Sequence, residues 1–191
     1  MLGQEKYEAE DNMEQAVFLD RDGVINEVKT SRVTFVNKPT DFYLLDGVGE
    51  AIRSFNQSGF VVFVVTNQGG VGLGYMTEKT LRTIHEKMVN LLAQHDATVN
   101  EIAYCIHRPN EGCHCRKPGS LMIKQLSDRY GVDPTASIMV GDREPDIKAG
   151  KKAGCKTVLV GNRTKNENYG ADAVFQSLAD AVPWILKKKS L

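Results

Sequence analysis

Short apolar runs alternate with longer amphipathic stretches along most of this chain. Ala16-Val17-Phe18-Leu19 reads as a strand that ends at Asp20. Val48 to Phe55 has helical spacing and stops near Gly59, and Phe60 to Val65 is a near-continuous apolar strand. Thr77 is placed to cap a helix running to about Gln94. Ile102-Ala103-Tyr104 is a short strand, and Ser120 to Tyr130 is a helix with Gly131 just past its end. Ser137 to Val140 is a strand that stops at Gly141-Asp142. Pro145 suits the first turn of the helix that follows, and Gly154 lies beyond that helix. Thr157 to Val160 and Ala173-Val174-Phe175 read as two further strands, and Ser177 to about Leu186 as the last helix.

Strands alternating with helices predict an α/β fold, a parallel sheet covered on both faces. The near-continuous run Phe60 to Val65 fits a strand buried on both sides. Residues 1–15 are polar and acidic and read as a loosely held tail, leaving 16–191 as one domain. The 21–45 stretch is long for a connection and predicts a loop or small hairpin beside a site.

Charge changes the picture little. Lys+Arg and Asp+Glu number 24 each, which gives no support for a nucleic-acid or membrane partner. No apolar run reaches membrane-spanning length, and the start lacks the apolar centre of a secretory signal. A cytoplasmic protein acting on a small molecule is the expectation. Its oligomeric state is not legible.

The chemistry lies at strand ends. In open parallel sheets ligands bind beyond the carboxyl ends of the strands. There the chain carries Asp20-Arg21-Asp22, Thr66-Asn67-Gln68 and Gly141-Asp142-Arg143. Asp-x-Asp-Gly alone also suits a polar turn, but three strand ends together favour a site. Two carboxylates as close as Asp20 and Asp22 repel unless a cation lies between them, and Mg²⁺ is the natural hard ion. Asp142 is read as a third oxygen ligand. Glu144 and Asp146 also stand in this loop and are read as solvated or helix-end acids. A carboxylate can form an acyl-phosphate. Asp20, nearer the rigid strand, is the candidate nucleophile, and Asp22 the candidate proton donor and base. Thr66 and neighbouring amides can hydrogen-bond a phosphoryl group, and Lys117 can supply positive charge.

Cys105-Ile106-His107 and Cys113-His114-Cys115 form the pattern C-x-H-x5-C-x-C. Cys105, His107, Cys113 and Cys115 make a closed tetrahedral set for a structural Zn²⁺. His114 is the alternative imidazole. The loop runs straight into Arg116-Lys117-Pro118, so ordering it would position both cations. His85 and His95 are read as surface residues, and Cys155 as buried away from the cluster.

Asp20-Arg21-Asp22-Gly23-Val24, Thr66-Asn67, Lys117 and Gly141-Asp142, in this order, resemble the haloacid dehalogenase superfamily of phosphatases. The resemblance implies a Rossmann-like three-layer sandwich, Mg²⁺ held by Asp20, Asp142 and the backbone carbonyl of Asp22, and an aspartyl-phosphate on Asp20. Thr66 and Lys117 would hold the phosphoryl group. The C-x-H…C-x-C loop followed by Arg-Lys-Pro is similar to the histidinol-phosphatase and heptose-bisphosphatase branch, whose members have a minimal cap. The resemblance implies that Arg116 recognises substrate, Arg143 sits beside its phosphate, and Asn67, Gln68 and Gly69 line the site. A heptose 1,7-bisphosphate is the expected substrate. Histidinol phosphate is the alternative, favoured by the five residues between the two halves of the cysteine loop. An inactive zinc-stabilised binding protein is the alternative of another class, but Asp20, Asp22, Lys117 and Asp142 are all present.

Overall fold

A computed structural model describes residues 13–161 and 168–189. Six strands form one sheet: β1 (Ala16–Leu19), β2 (Val61–Asn67), β3 (Glu101–Cys105), β4 (Ile138–Gly141), β5 (Lys156–Val160) and β6 (Ala173–Phe175). Their order is β3-β2-β1-β4-β5-β6, and every neighbouring pair is parallel. The sheet is thus parallel throughout, as the alternation of strands and helices predicts. Leu19 stands level with Val64 on one side and Val140 on the other. The chain moves outward one way from β1 and the other way from β4, so the topological switch lies between these two strands. That is where ligands of doubly wound sheets bind.

Among the described residues six helices flank the sheet: α1 (Val48–Gln57), α2 (Gly69–Gly72), α3 (Glu78–Ala93), α4 (Leu121–Tyr130), α5 (Glu144–Ala153) and α6 (Leu178–Leu186). The alternation of side chains along each strand sorts them into two layers. Val17 and Leu19 join the core formed with α1, α3 and α6, whereas Ala16 and Phe18 join the core formed with α4 and α5. Thr77 caps α3 by accepting from the Thr80 amide at 3.0 Å, as its position predicts. The 21–45 connection contains no hairpin of regular strands. It holds a turn of 3₁₀ helix at Pro39–Asp41 and isolated bridges from Asn26 to Asp22 and Leu44. The short helix α2 has no apolar period, being Gly69-Gly70-Val71-Gly72, and was not legible.

The expected tail falls mostly on residues outside the described ones. Its last residues are part of the domain: Glu14 exchanges backbone hydrogen bonds with Gly131 and Asp133, and Gln15 is buried. Among the described residues no helix is long and apolar enough to cross a membrane.

The second core centres on Phe18, stacked on Phe63 with ring centroids 5.3 Å apart and no exposure of either. Phe18→Ala leaves a cavity under the strand that carries Asp20 and should cost about 3–5 kcal/mol. Urea unfolding checks this: the midpoint should fall while the slope is unchanged.

Candidate active site

Asp20 follows β1, Thr66 is the penultimate residue of β2, and Asp142 follows β4, so three adjacent strands deliver them to one place. Asp20 is fixed by its amide, which donates to the Val140 carbonyl at 2.9 Å. Lys117 arrives from the cysteine loop and is buried. Its Nζ donates to Asp20 Oδ1 at 2.8 Å and to the Val65 carbonyl at 2.6 Å, and it pairs with Asp146 Oδ1 at 2.6 Å. One carboxylate oxygen from each of Asp20, Asp142 and Asp146 lies within 4.8 Å of the others. Two glycines permit this crowding. Gly23 has φ +87°, and a Cβ there would lie 2.7 Å from Asp142 Oδ2. A Cβ on Gly141 would lie 2.0 Å from the Cβ of Asp146.

Asp146 corrects the sequence reading. It does serve a helix end, since its Oδ2 accepts from the Arg143 amide at 3.0 Å. It is not solvated, being 3% exposed with its other oxygen on Lys117. Glu144 is the solvated acid, paired with Lys148 at 2.8 Å.

Asp22 corrects it as well. Its carboxylate is not one of the three clustered oxygens and is held by Arg21 instead. Nη2 of that buried guanidinium donates to both Asp22 oxygens at 3.0 Å. Asn26 Nδ2 donates to Oδ1 at 3.0 Å and Gln68 Nε2 to Oδ2 at 2.8 Å. Burial raises the Asp22 pKa, but Arg21 and these hydrogen bonds outweigh it and hold the carboxyl below its usual range. Asp20 behaves oppositely. Burial pushes it up to about 7, Asp146, Asp22 and Asp142 push the same way, and only Lys117 opposes them. Burial also works against the charge of Lys117, yet Asp146 and Asp20 raise its pKa. Asp20, Asp142 and Asp146 therefore carry more negative charge than Lys117 offsets. Their hard oxygens suit a divalent cation such as Mg²⁺, which would keep Asp20 ionised.

The cysteine loop gathers as its spacing predicts. Cys105 Sγ lies 3.1 Å from Cys115 Sγ and 3.6 Å from Cys113 Sγ, and His107 Nδ1 lies 3.4 Å and 3.2 Å from the sulfurs of Cys105 and Cys115. A tetrahedral Zn²⁺ with Zn–S near 2.3 Å wants ligands roughly 3.5–3.8 Å apart, so the set fits with little movement. Burial and the Cys115 and Cys113 thiols push Cys105 up to about 12, so three thiolates coexist here only around a cation. Cys155 is buried elsewhere in the second core, as expected.

Asp20, Asp22, Thr66, Lys117 and Asp146 are among the residues that border a cleft of about 370 Å³. Asn67, Gln68, Gly69, Arg116 and Arg143 border it too. The two amide side chains are already engaged, however. Asn67 clamps the Lys117 backbone, accepting from its amide at 2.9 Å and donating to its carbonyl at 3.0 Å. Gln68 spans Asp22 and Thr66 Oγ1, donating to each at 2.8 Å. Both act on neighbours in the site rather than offering free amides. Arg116 rests on the His107 carbonyl at 3.3 Å, and Arg143 lies beside Asp142 at 3.4 Å.

A D-glycero-beta-D-manno-heptose-1,7-bisphosphate 7-phosphatase of Haemophilus influenzae is 39% identical over 186 residues, 92% of this chain and 98% of the relative. One from Escherichia coli K12 is 38% identical over 185 residues, 91% of this chain and 94% of the relative. The HAD-hydrolase-like family model matches residues 114–181. The chain belongs to the haloacid dehalogenase-like phosphatases. Among solved structures of this family, the D,D-heptose 1,7-bisphosphate phosphatase of B. bronchiseptica, complexed with magnesium and phosphate, shares 33% identity at a TM-score of 0.79. The match covers 92% of this chain and 99% of that one.

Within this haloacid dehalogenase-like frame, sequence reasoning passed over Arg21 and His85. Arg21 continues the parity of Val17 and Leu19, which points it under α3. There its Nη1 lies 3.3 Å from His85 Nε2. His85 was expected at the surface but is 6% exposed, its ring centroid 5.3 Å from that of Tyr104. The signal was its spacing, since Leu81, Ile84, His85, Met88 and Leu92 share the buried stripe of α3. His95, just past that helix, is half-exposed and pairs with Glu50.

Burial, and then the Arg21 charge, push His85 down to about 3 from 6.5. Folded His85 is neutral, while the unfolded chain takes up its proton below about pH 6.5. Its contribution to stability is therefore complete above that pH and is lost as pH falls from 6.5 towards 3. His85→Gln removes this titration. Urea titrations at about pH 7.5 and pH 5 should show the unmodified protein losing about 2 kcal/mol more than the variant between them.

Proposed function

We propose that this protein is a Mg²⁺-dependent phosphatase that removes the 7-phosphate of D-glycero-D-manno-heptose 1,7-bisphosphate through an aspartyl-phosphate on Asp20. The observation that carries the reading is the buried group of Asp20, Lys117 and Asp146 at the end of β1, opening on a cleft with Arg116 at its edge. Near-full-length relatives of that activity support the substrate.

Asp20 Oδ attacks phosphorus, and the bond from phosphorus to the sugar oxygen breaks. Asp22 passes a proton to that leaving oxygen. A water then gives its proton to the Asp22 carboxylate and attacks phosphorus, which releases Asp20 and orthophosphate. Lys117 neutralises the phosphoryl oxygens, and Thr66 Oγ1, which accepts from Gln68, turns its own hydrogen towards them. Asp20 and Asp142 would hold Mg²⁺ with the Asp22 backbone carbonyl, and Asp146 lies within reach of the same ion. Bound there, Mg²⁺ supplies Lewis-acid charge to the phosphoryl group. The resting Asp22, held ionised by Arg21, suits the second step. Acting as the acid of the first step requires its carboxyl to leave Gln68 or Arg21 when substrate enters and to take up a proton from solvent or from the arriving phosphate monoester.

The remote phosphate needs a cation away from the carboxylates. Arg32 is engaged by Glu27 and lies over the Tyr43 ring, and neither it nor Lys29 borders the cleft. Arg116 borders it and can grip a phosphate through charge-assisted hydrogen bonds. Histidinol phosphate remains the second reading because of the five-residue spacer, 108–112, in the cysteine loop.

The test is phosphate release from heptose 1,7-bisphosphate and from histidinol phosphate. The sugar should be preferred and should lose its C7 phosphate. Asp20→Asn should lower turnover by roughly 10⁴-fold or more with the melting temperature retained. Faster histidinol phosphate turnover reverses the substrate assignment, and near-normal release by a folded Asp20→Asn protein refutes the nucleophile.

Metal content gives a separate check. The purified protein should carry about one Zn²⁺ per chain, held at Cys105, His107, Cys113 and Cys115, and turnover should require added Mg²⁺. Elemental analysis without zinc would remove the loop assignment, and activity in excess EDTA matching that with Mg²⁺ would remove the carboxylate assignment.

A further inference from the structure

Folding hides large apolar side chains, and isolated exceptions need no explanation. Here the exceptions converge. Tyr75 is 70% exposed and Phe35 58%, the two highest values among the large apolar residues described. Leu73 follows at 46% among the cleft residues. All three border the cleft that contains Asp20 and Lys117. They come from separate segments, Phe35 from the 21–45 connection and Leu73 and Tyr75 from the turn after α2. Apolar side chains left open at a site in this way mark what the site binds.

The glycines of α2 divide the cleft. A Cβ on Gly69 would lie 3.1 Å from Arg116 Nη1. A Cβ on Gly70 would lie 3.4 Å from Asn37 Oδ1 and Met76 Cε and 4.0 Å from the Tyr75 Cβ. One residue thus separates a side with the Arg116 guanidinium from a side with Met76, Tyr75 and the Asn37 amide oxygen. The carboxylates and Lys117 handle the reacting phosphate and Arg116 suits a second anion. Neither role needs two exposed aromatic rings.

We propose that Phe35, Leu73 and Tyr75 form an apolar wall that receives the ring of the substrate, so that the site selects phosphate monoesters whose alcohol carries a ring with an apolar face. A pyranose presents C–H bonds on such a face, and an aryl ring presents its π surface. The proposal rests on the phosphatase reading of the cleft and goes beyond it by assigning the residues that choose the body of the substrate. It also extends the activity to aryl phosphates.

The experiment compares kcat/KM of the unmodified enzyme, Phe35→Ala, Tyr75→Ala and Tyr75→Phe, with Mg²⁺ present. The substrates are heptose 1,7-bisphosphate, phenyl phosphate and acetyl phosphate, the last having no ring. Each alanine variant should lose about tenfold more on the two ring-bearing substrates than on acetyl phosphate, mostly through KM. Tyr75→Phe should recover that selectivity, because the ring and not the hydroxyl makes the wall. Equal losses on all three substrates, or none on the ring-bearing ones, overturn the proposal. So does a change of oligomeric state in the alanine variants with selectivity intact, since another copy of the chain would then cover the wall. An unmodified enzyme inactive on the sugar but active on phenyl phosphate refutes the heptose reading alone, and phenyl phosphate still reports on the wall.

Discussion

An ammonium group taken out of water has to be paired or give up its charge. Lys117, 3% exposed, is paired twice, with Asp20 and Asp146, and donates to the Val65 carbonyl as well. These contacts join the end of β1, the interior of β2, the first turn of α5 and the segment after the cysteine loop. Removing the lysine leaves two buried carboxylates without their shared counterpart, which costs far more than the pairs contribute when whole. The lysine therefore fixes the first turn of α5 and the segment after the cysteine loop against the ladder of β1 and β2.

The same constraint sets the character of the carboxylates. Asp20 is buried among Asp146, Asp22 and Asp142 and has Lys117 as its cationic partner, and its pKa rises to about 7, chiefly through burial. Asp22, two residues on, has its own guanidinium and two amide donors and stays ionised. One carboxyl is left short of positive charge and the other is supplied in full. A divalent cation corrects the first imbalance and does not touch the second. The two halves of Asp-x-Asp thus differ because Arg21 between them faces one of them only.

Most of this was legible because it follows from periodicity and strand ends. Thr66, Asp20 and Asp142 lie beyond buried runs that a parallel sheet brings side by side. The Cys/His loop could be read because ligand spacing constrains it more tightly than packing does. What escaped depends on direction rather than position. Asp146 looked like any acid at a helix start, and only its second oxygen, aimed at Lys117, makes it part of the site. The Asp22 carboxylate was read as facing the same cation as that of Asp20, because adjacency in sequence says nothing of which way a carboxylate turns. Arg21 and His85 were passed over for their polarity, although the strand parity of one and the helical stripe of the other pointed inward. Polar residues on a core face signal a buried partner, and here each is the other's.

The cysteine loop has a part in this economy of charge. Residues 108–116 are Arg-Pro-Asn-Glu-Gly-Cys-His-Cys-Arg, with almost nothing to bury, so packing alone cannot hold Lys117 at its depth. Two devices do it instead. Cys105 at the end of β3 ties the loop to the sheet through the thiol and imidazole cluster. Asn67 at the end of β2 grips the Lys117 backbone from both sides. Both anchors sit on adjacent strands in register, Asn67 opposite Cys105. A polar loop is thereby given the positional definition of a strand, and Lys117 enters the core at the level of Asp20.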